Sequence, residues 1–161
     1  MQSHQPPLLA ADIIARRIDA KFETLLLARG ERDGVKLDSI VITRNGLVGR
    51  VLEVTATTAS VLMITDQKSG VGARVLRPES RALGICKGDN TNLLTLTYLD
   101  NDADIRVGDE IITSGMGGVF PSGIRIGVVK EVKIDPASAI KTAKLTPYVN
   151  FDRVEEVYIR R

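Results

Sequence analysis

Two stretches of this 161-residue chain copy one another. Val35–Thr43 (VKLDSIVIT) lies over Ile105–Thr113 (IRVGDEIIT), and Val48–Val54 (VGRVLEV) lies over Ile126–Val132 (IGVVKEV) after a longer loop. The match continues on both sides. Ala11–Arg16 falls against Ala82–Lys87, Phe22–Leu27 against Leu93–Tyr98, and Val71–Leu76 against Val154–Ile159. A repeat of about 80 residues requires one structural unit built twice, and any fold assigned to one half must suit the other.

That requirement decides the class of the unit. Ala10–Ala28 alone reads as helix or as two strands, but its counterpart contains Gly84, Gly88 and Asn90, which oppose a helix. Val, Ile and Thr make up 43 of the 161 residues, and their stiff side chains favour strands. The expected strands are Asp12–Arg16, Phe22–Ala28, Ser39–Thr43, Leu47–Val54, Ser60–Thr65, Gly72–Leu76, Ala82–Lys87, Leu93–Leu99, Glu110–Thr113, Ile124–Ile134, Lys141–Val149 and Val154–Arg160. Six short strands close on themselves most economically as a small barrel, which leaves no open sheet edge. The sequence therefore predicts an all-β chain of two six-stranded antiparallel β-barrels packed side by side. The expected limits are residues 9–80 and 81–161, with a break near Pro78–Arg81 and a flexible leader over residues 1–8. Strands crossing between the barrels are compatible with the repeat.

Chemistry is harder to place. One Cys permits no disulfide within the chain, and one His falls short of the usual zinc sets. Ser114-Gly115-Met116-Gly117-Gly118 is a Gly-rich serine loop, but a nucleophilic serine needs a base, and the single histidine is His4 in the leader. Asp100–Asp104 opens like a calcium loop, yet Ile105 stands where the turn glycine belongs and Ile111 where the bidentate glutamate belongs. No Lys-Ser/Thr follows Gly115–Gly118 to make a phosphate-binding loop. Cys86 reads as a small apolar strand residue. A net charge of +2 with 4% aromatics argues against nucleic acid as a partner. No apolar run reaches the roughly 18 residues of a membrane helix. No catalytic, cofactor or metal residue is assigned, and such doubled modules serve most often as interaction scaffolds.

Particular runs carry a resemblance. They are Gly46–Val51, Ser60–Asp66, Leu83-Gly84-Ile85, Tyr98-Leu99, Asp104–Asp109, Thr113–Val129 and Pro147–Asp152, with Val154 and Val157. In order, from about residue 8 to 161, the chain resembles the extracytoplasmic β-domains of the bacterial rod-shape-determining MreC family. The motif positions matched are Gly46, Gly49, Asp66, Gly108, Asp109, Ser114, Gly115, Pro121, Gly123 and Gly127. Their physical reading is structural. Gly115, Gly117, Gly118 and Gly123 shape a long hairpin loop, Pro121 fixes φ inside it, and Asp66 and Asp109 accept backbone N–H bonds at strand ends.

The resemblance implies a non-enzymatic scaffold of cell-wall elongation that maintains rod shape from the periplasmic side of the inner membrane. Implied partners are the class B penicillin-binding transpeptidase of elongation, RodA, MreD, the MreB system and further copies of itself. Family members carry a single membrane anchor and a coiled coil ahead of the β-domains, and neither is in this sequence. Phe120 and Tyr148 are the candidate partner anchors, against a second reading in which each closes the mouth of its barrel. The rival function is a degenerate serine hydrolase on paired barrels, centred on Ser114.

Overall fold

A computed structural model describes residues 7–18 and 23–160. Among them run twelve strands: β1 (Leu8–Ile18), β2 (Glu23–Leu27), β3 (Ile40–Ile42), β4 (Leu47–Val54), β5 (Ala59–Met63), β6 (Gly70–Val75), β7 (Leu83–Gly88), β8 (Leu94–Leu99), β9 (Glu110–Thr113), β10 (Arg125–Ile134), β11 (Lys141–Pro147) and β12 (Glu156–Arg160). All neighbouring strands pair antiparallel. Leu8 opens β1 opposite Arg160, so strand begins inside the stretch expected as leader. The rest of that leader and Phe22 lie outside the described residues, Pro7 excepted.

Two barrels close. One runs β1-β12-β3-β4-β5-β2 and the other β10-β11-β8-β7-β6-β9. Renumbering each strand of the first by its repeat partner gives the cyclic order of the second, so the doubled unit is real in three dimensions. Its details repeat too. Gly49 pairs with Val41 and Met63, and Gly127 with Ile111 and Pro147. The ladder slips between Val51 and Glu53 in one copy and between Val129 and Glu131 in the other. Paired bulges of this kind bend a strand around a barrel corner.

The expected division at residues 80 and 81 needs correction. β6 belongs to the second barrel and β12 to the first, so each half gives its sixth strand to the other. In the first barrel the vacant place lies between β1 and β3, diametrically opposite β5. A strand filling it directly after β5 would have to cross the open end of the barrel. Instead residues 64–69 pass to the neighbouring barrel, and residues 148–155 return. The outward crossover is tied down: Asn90 N–H donates to Thr65 O at 2.9 Å, and Gln67 N–H to Asn90 Oδ1 at 3.1 Å. Asp66 is buried beside it and accepts the Lys68 N–H at 2.7 Å.

Register also differs from the sequence alignment. Val75 pairs with Ile111 and Ile159 with the equivalent Val41, so Val75, not Leu76, corresponds to Ile159. Ala73↔Gly84 and Val157↔Ala11 then make Gly84 the counterpart of Ala11, and Leu96 that of Leu27. A slip of one residue turns every side chain to the other face, and only the ladder fixes it. The alternating inward residues, Leu25, Leu27, Val41, Val51 and Val61 in one barrel and Leu94, Leu96, Ile111, Val129 and Leu145 in the other, are buried in one connected cluster. Gly46 marks the junction. A Cβ there would lie 2.7 Å from Arg125 O of the other barrel and 3.5 Å from Tyr148 Cβ.

Candidate partner-binding surface

Because one unit is built twice, each barrel serves as a control for the other. A surface feature that the fold demands should occur on both. On the second barrel, Leu83 and Ile85 of β7, Tyr98 of β8 and Met116 of the β9–β10 loop surround a groove of about 480 Å³ floored by Gly70, Gly72 and Gly84. Tyr98 is 74% exposed and Met116 64%. The corrected register places Ala10 opposite Leu83, Asp12 opposite Ile85, Arg29 opposite Tyr98 and Glu156 opposite Gly72. Ala10, Asp12, Arg29 and Glu156 do line one hollow on the first barrel, of about 210 Å³. Lys87 and Ser114 also line the groove. The same fold carries a charged hollow there and a mainly apolar groove with one lysine here, so packing does not require the groove.

Glycines make the groove possible. A Cβ on Gly72 would meet Met116 O at 2.7 Å and Ser114 Oγ at 2.8 Å, and one on Gly84 would meet Thr97 O at 2.6 Å. Without side chains there, the Ser114–Gly118 loop lies down over β6 and becomes one wall. That loop is the long insertion of the second copy and has no counterpart in the first. Gly115 and Gly123 have φ of +82° and +93°, which favours glycine. Thr113 Oγ1 clamps the loop base, donating to Pro121 O at 2.6 Å and accepting from Ile124 N–H at 2.9 Å. Ser114 Oγ accepts the Met116 N–H at 3.2 Å, a turn-forming bond. His4, the base the hydrolase reading would need, lies outside the described residues.

Phe120 and Tyr148, the expected anchors, do not line this groove. Phe120 is 7% exposed and part of the core cluster, so most of its ring is covered within this chain. Tyr148 is half-buried at the junction. Its hydroxyl donates to Glu110 Oε1 at 2.7 Å, and the Arg125 guanidinium lies 5.7 Å from its ring centroid. Burial, then the bond to the Glu110 carboxylate, push the Tyr148 hydroxyl up to about 12. Gly108, with φ +93°, turns the chain before β9.

Asp109 does more than cap a turn. Arg77 Nε donates to Asp109 Oδ1 at 2.9 Å and Nη2 to Oδ2 at 3.1 Å, while Nη1 and Nη2 each reach an Asp104 carboxylate oxygen at 3.0 Å. This double fork pins the β6–β7 loop against the β8–β9 loop. Hydrogen bonds from Arg77 hold Asp104 below the usual carboxylate range. For Asp109, burial pushes upward, but the Arg77 bond, the Arg106 N–H and the Arg77 charge together bring it below that range. Among the described residues no group of three or more His, Cys, Asp or Glu is placed to hold a metal ion. No helix among them is long and apolar enough to cross a membrane.

Comparison with known proteins fits this architecture. The family model described as "Rod shape-determining protein MreC, barrel core" matches residues 13–161. The chain belongs to the MreC family. The cell shape-determining protein MreC of Listeria monocytogenes is 37% identical over 143 residues, covering 86% of this chain and 48% of that protein. The chain thus spans about half the length of that relative. The crystal structure of MreC from Pseudomonas aeruginosa superposes with a TM-score of 0.88 at 30% identity, covering 95% of this chain and 98% of that one. The complex between Penicillin-Binding Protein (PBP2) and MreC from Helicobacter pylori gives 0.69 at 15% identity, covering 98% and 99%, a likeness of fold. MreC relatives are named for cell shape, and the paired barrels are the part shared here.

The groove residues Leu83, Ile85, Tyr98 and Met116 were not singled out by motif. The signal lay in the repeat: an alignment two residues out set Leu83 against Asp12 and Tyr98 against Leu27, which hid the contrast between the two surfaces.

Proposed function

We propose that this chain is the extracytoplasmic barrel region of a non-enzymatic scaffold for lateral cell-wall elongation. Held at the periplasmic face of the inner membrane by an anchor in a longer protein, it gathers the elongation transpeptidase, self-associates, and works with RodA, MreD and the MreB system. The observation that carries the reading is the apolar groove on the second barrel, whose counterpart on the first is charged. Four exposed apolar side chains around a glycine floor make a compact anchor site, and a few such anchors give most of the energy of a contact burying roughly 800 Å² per partner. The groove accepts an apolar segment of the transpeptidase's extracytoplasmic part. A complex of PBP2 with a protein of this fold supports the choice of partner.

The test is calorimetric titration of the chain with that extracytoplasmic part, run beside fluorophosphonate labelling. Saturable binding without labelling of Ser114 is expected. Labelling that is stoichiometric and lost in Ser114→Ala would replace the scaffold with the hydrolase, and absence of binding would remove the transpeptidase as partner.

A further inference from the structure

Tyr98 is held against its own backbone preference. Its φ is +60°, in the left-handed region that a bulky side chain enters only at a cost. The ladder slips there, with Leu99 facing Lys141 and Leu96 facing Ala143, and the irregularity turns Tyr98 out to 74% exposure. The fold does not ask for this. Arg29, the counterpart on the first barrel, keeps φ out of the positive range. Strain present in one copy and missing from the other points to a site and not to a packing need.

The groove beside Tyr98 has a direction. Leu83, Ile85 and Lys87 are the exposed, alternate positions of β7, and on β6 Gly72 faces Ile85 and Gly70 faces Lys87. The two glycines leave an open strip along that row, walled on its far side by Ser114 and Met116. The row from Leu83 to Lys87 spans about 13 Å. Lys87 closes one end: its Cε lies 3.9 Å from where a Cβ on Gly70 would stand, so its stem lies along the strip. Among the described residues Lys87 forms no ion pair, and no carboxylate lines the groove. Arg74, facing Leu83 at the other end, donates from Nη1 to Val75 O at 3.4 Å and does not line the groove. On the first barrel Ala15 takes the place of Lys87, since Ala15 faces Leu26 as Lys87 faces the equivalent Thr95. The cation, like the strained tyrosine, belongs to the second copy alone.

We infer that the groove takes an extended segment of a partner protein, with apolar side chains at alternate positions and an acidic side chain two residues beyond them. The carboxylate meets Lys87, and an apolar side chain packs against Tyr98. This rests on the groove being the partner site and states what that site selects. β6 and β7 are paired on both sides within the closed barrel, so side chains make the contact and no strand is added. An extended segment repeats its side chains every two residues, as β7 does, so the facing rows meet one to one. A single cation beside apolar walls favours a carboxylate over a neutral amide and opposes a second cation, which sets the partner's pattern by attraction and by repulsion.

The test uses the isotope-labelled chain and capped peptides of sequence Leu-Thr-Leu-Thr-Glu and, in the reverse order, Glu-Thr-Leu-Thr-Leu, with analogues carrying Gln or Lys in place of Glu. Nuclear magnetic resonance shifts of the Gly70, Gly72 and Gly84 amides report occupation of the groove. In at least one order the Glu peptide should bind several-fold tighter than its Gln analogue, and the Lys analogue should leave the three signals unmoved. Lys87→Met, which keeps an apolar stem, should erase the preference for Glu over Gln. Tyr98→Gly should weaken the Glu peptide several-fold with a Tm no lower than the parent's, because the strain leaves with the side chain. Equal binding of the Glu and Gln peptides, a preference that survives Lys87→Met, or no shift with any peptide would overturn the inference. A Tyr98→Gly chain that binds the Glu peptide normally would overturn the part given to Tyr98. The transpeptidase reading fails separately, in its own titration: a groove that prefers Glu but does not bind the transpeptidase keeps this chemistry and loses that partner.

Discussion

Replacing Gly49 by alanine tests the barrel geometry most severely. The new Cβ would lie 2.9 Å from the carbonyl carbon of Leu62 and 3.2 Å from Met63 Cα, with Leu62 O closer still. Carbon atoms rest at roughly 3.5–4.0 Å, so β5 must retreat from β4 where Gly49 faces Met63 and Arg50 faces Leu62. Overpacking costs about 1–3 kcal/mol. Two weakened ladder bonds add about 1 kcal/mol each, and the stiffer unfolded chain returns about 0.5–1 kcal/mol. The net loss is about 3 kcal/mol, or about 6–12 °C in Tm for a chain of this size. Gly108 is the control, because its φ is +93° but nothing lies within 4 Å of an added Cβ. There only left-handed strain applies, about 1–2 kcal/mol. Scanning calorimetry on both variants gives the answer. Each barrel is closed by a strand from the other half, so the loss should move one cooperative transition. A Gly49→Ala protein melting no lower than Gly108→Ala, or two resolved transitions, would refute the reasoning.

Phe120→Ala should lose about 3–5 kcal/mol of stability in chemical denaturation while the surviving folded protein binds its partner normally. Cys86 is fully buried, and burial pushes its thiol up to about 12, so maleimide at pH 8 should label it only at the rate of unfolding. Asp104 and Asp109 titrate lower in the folded chain than the unfolded value of about 3.9. Their stabilisation is complete above that value and is lost as pH falls through the folded values. Asp109→Asn should therefore lower Tm at pH 7 and flatten its fall below about pH 4, measured by melts across pH.

Much of this fold was legible because the repeat tested each local reading twice. Ala10–Ala28 is a case in point: its own pattern suits a helix, and only Gly84, Gly88 and Asn90 in the partner copy exclude one. Gly49 and Gly127 were matched correctly since both stand inside strong β-patterns. The strand exchange was not legible, because β6 and β12 are alike in pattern and either half satisfies either slot. Register was lost where bulges shift the ladder, as between Ile13 and Ala15, and a two-residue error keeps the apolar alternation intact. Phe120 and Tyr148 stand out in the sequence as large side chains near loops, whereas the prominence of Leu83, Ile85, Tyr98 and Met116 depends on the glycines between them, which the pattern of the sequence does not display.

Binding of the transpeptidase by the groove on the second barrel, and not by the fold as such, is tested by making the second barrel resemble the first. The repeat supplies the variant: Ile85→Asp with Tyr98→Arg gives the second barrel the side chains that Asp12 and Arg29 give the first. Both positions face solvent, so Tm should stay near that of the parent chain. Calorimetric titration with the transpeptidase's extracytoplasmic part should show Kd weakened at least 30-fold, the equivalent of about 2 kcal/mol for lost central anchors. An unchanged Kd in the folded double variant would contradict the account.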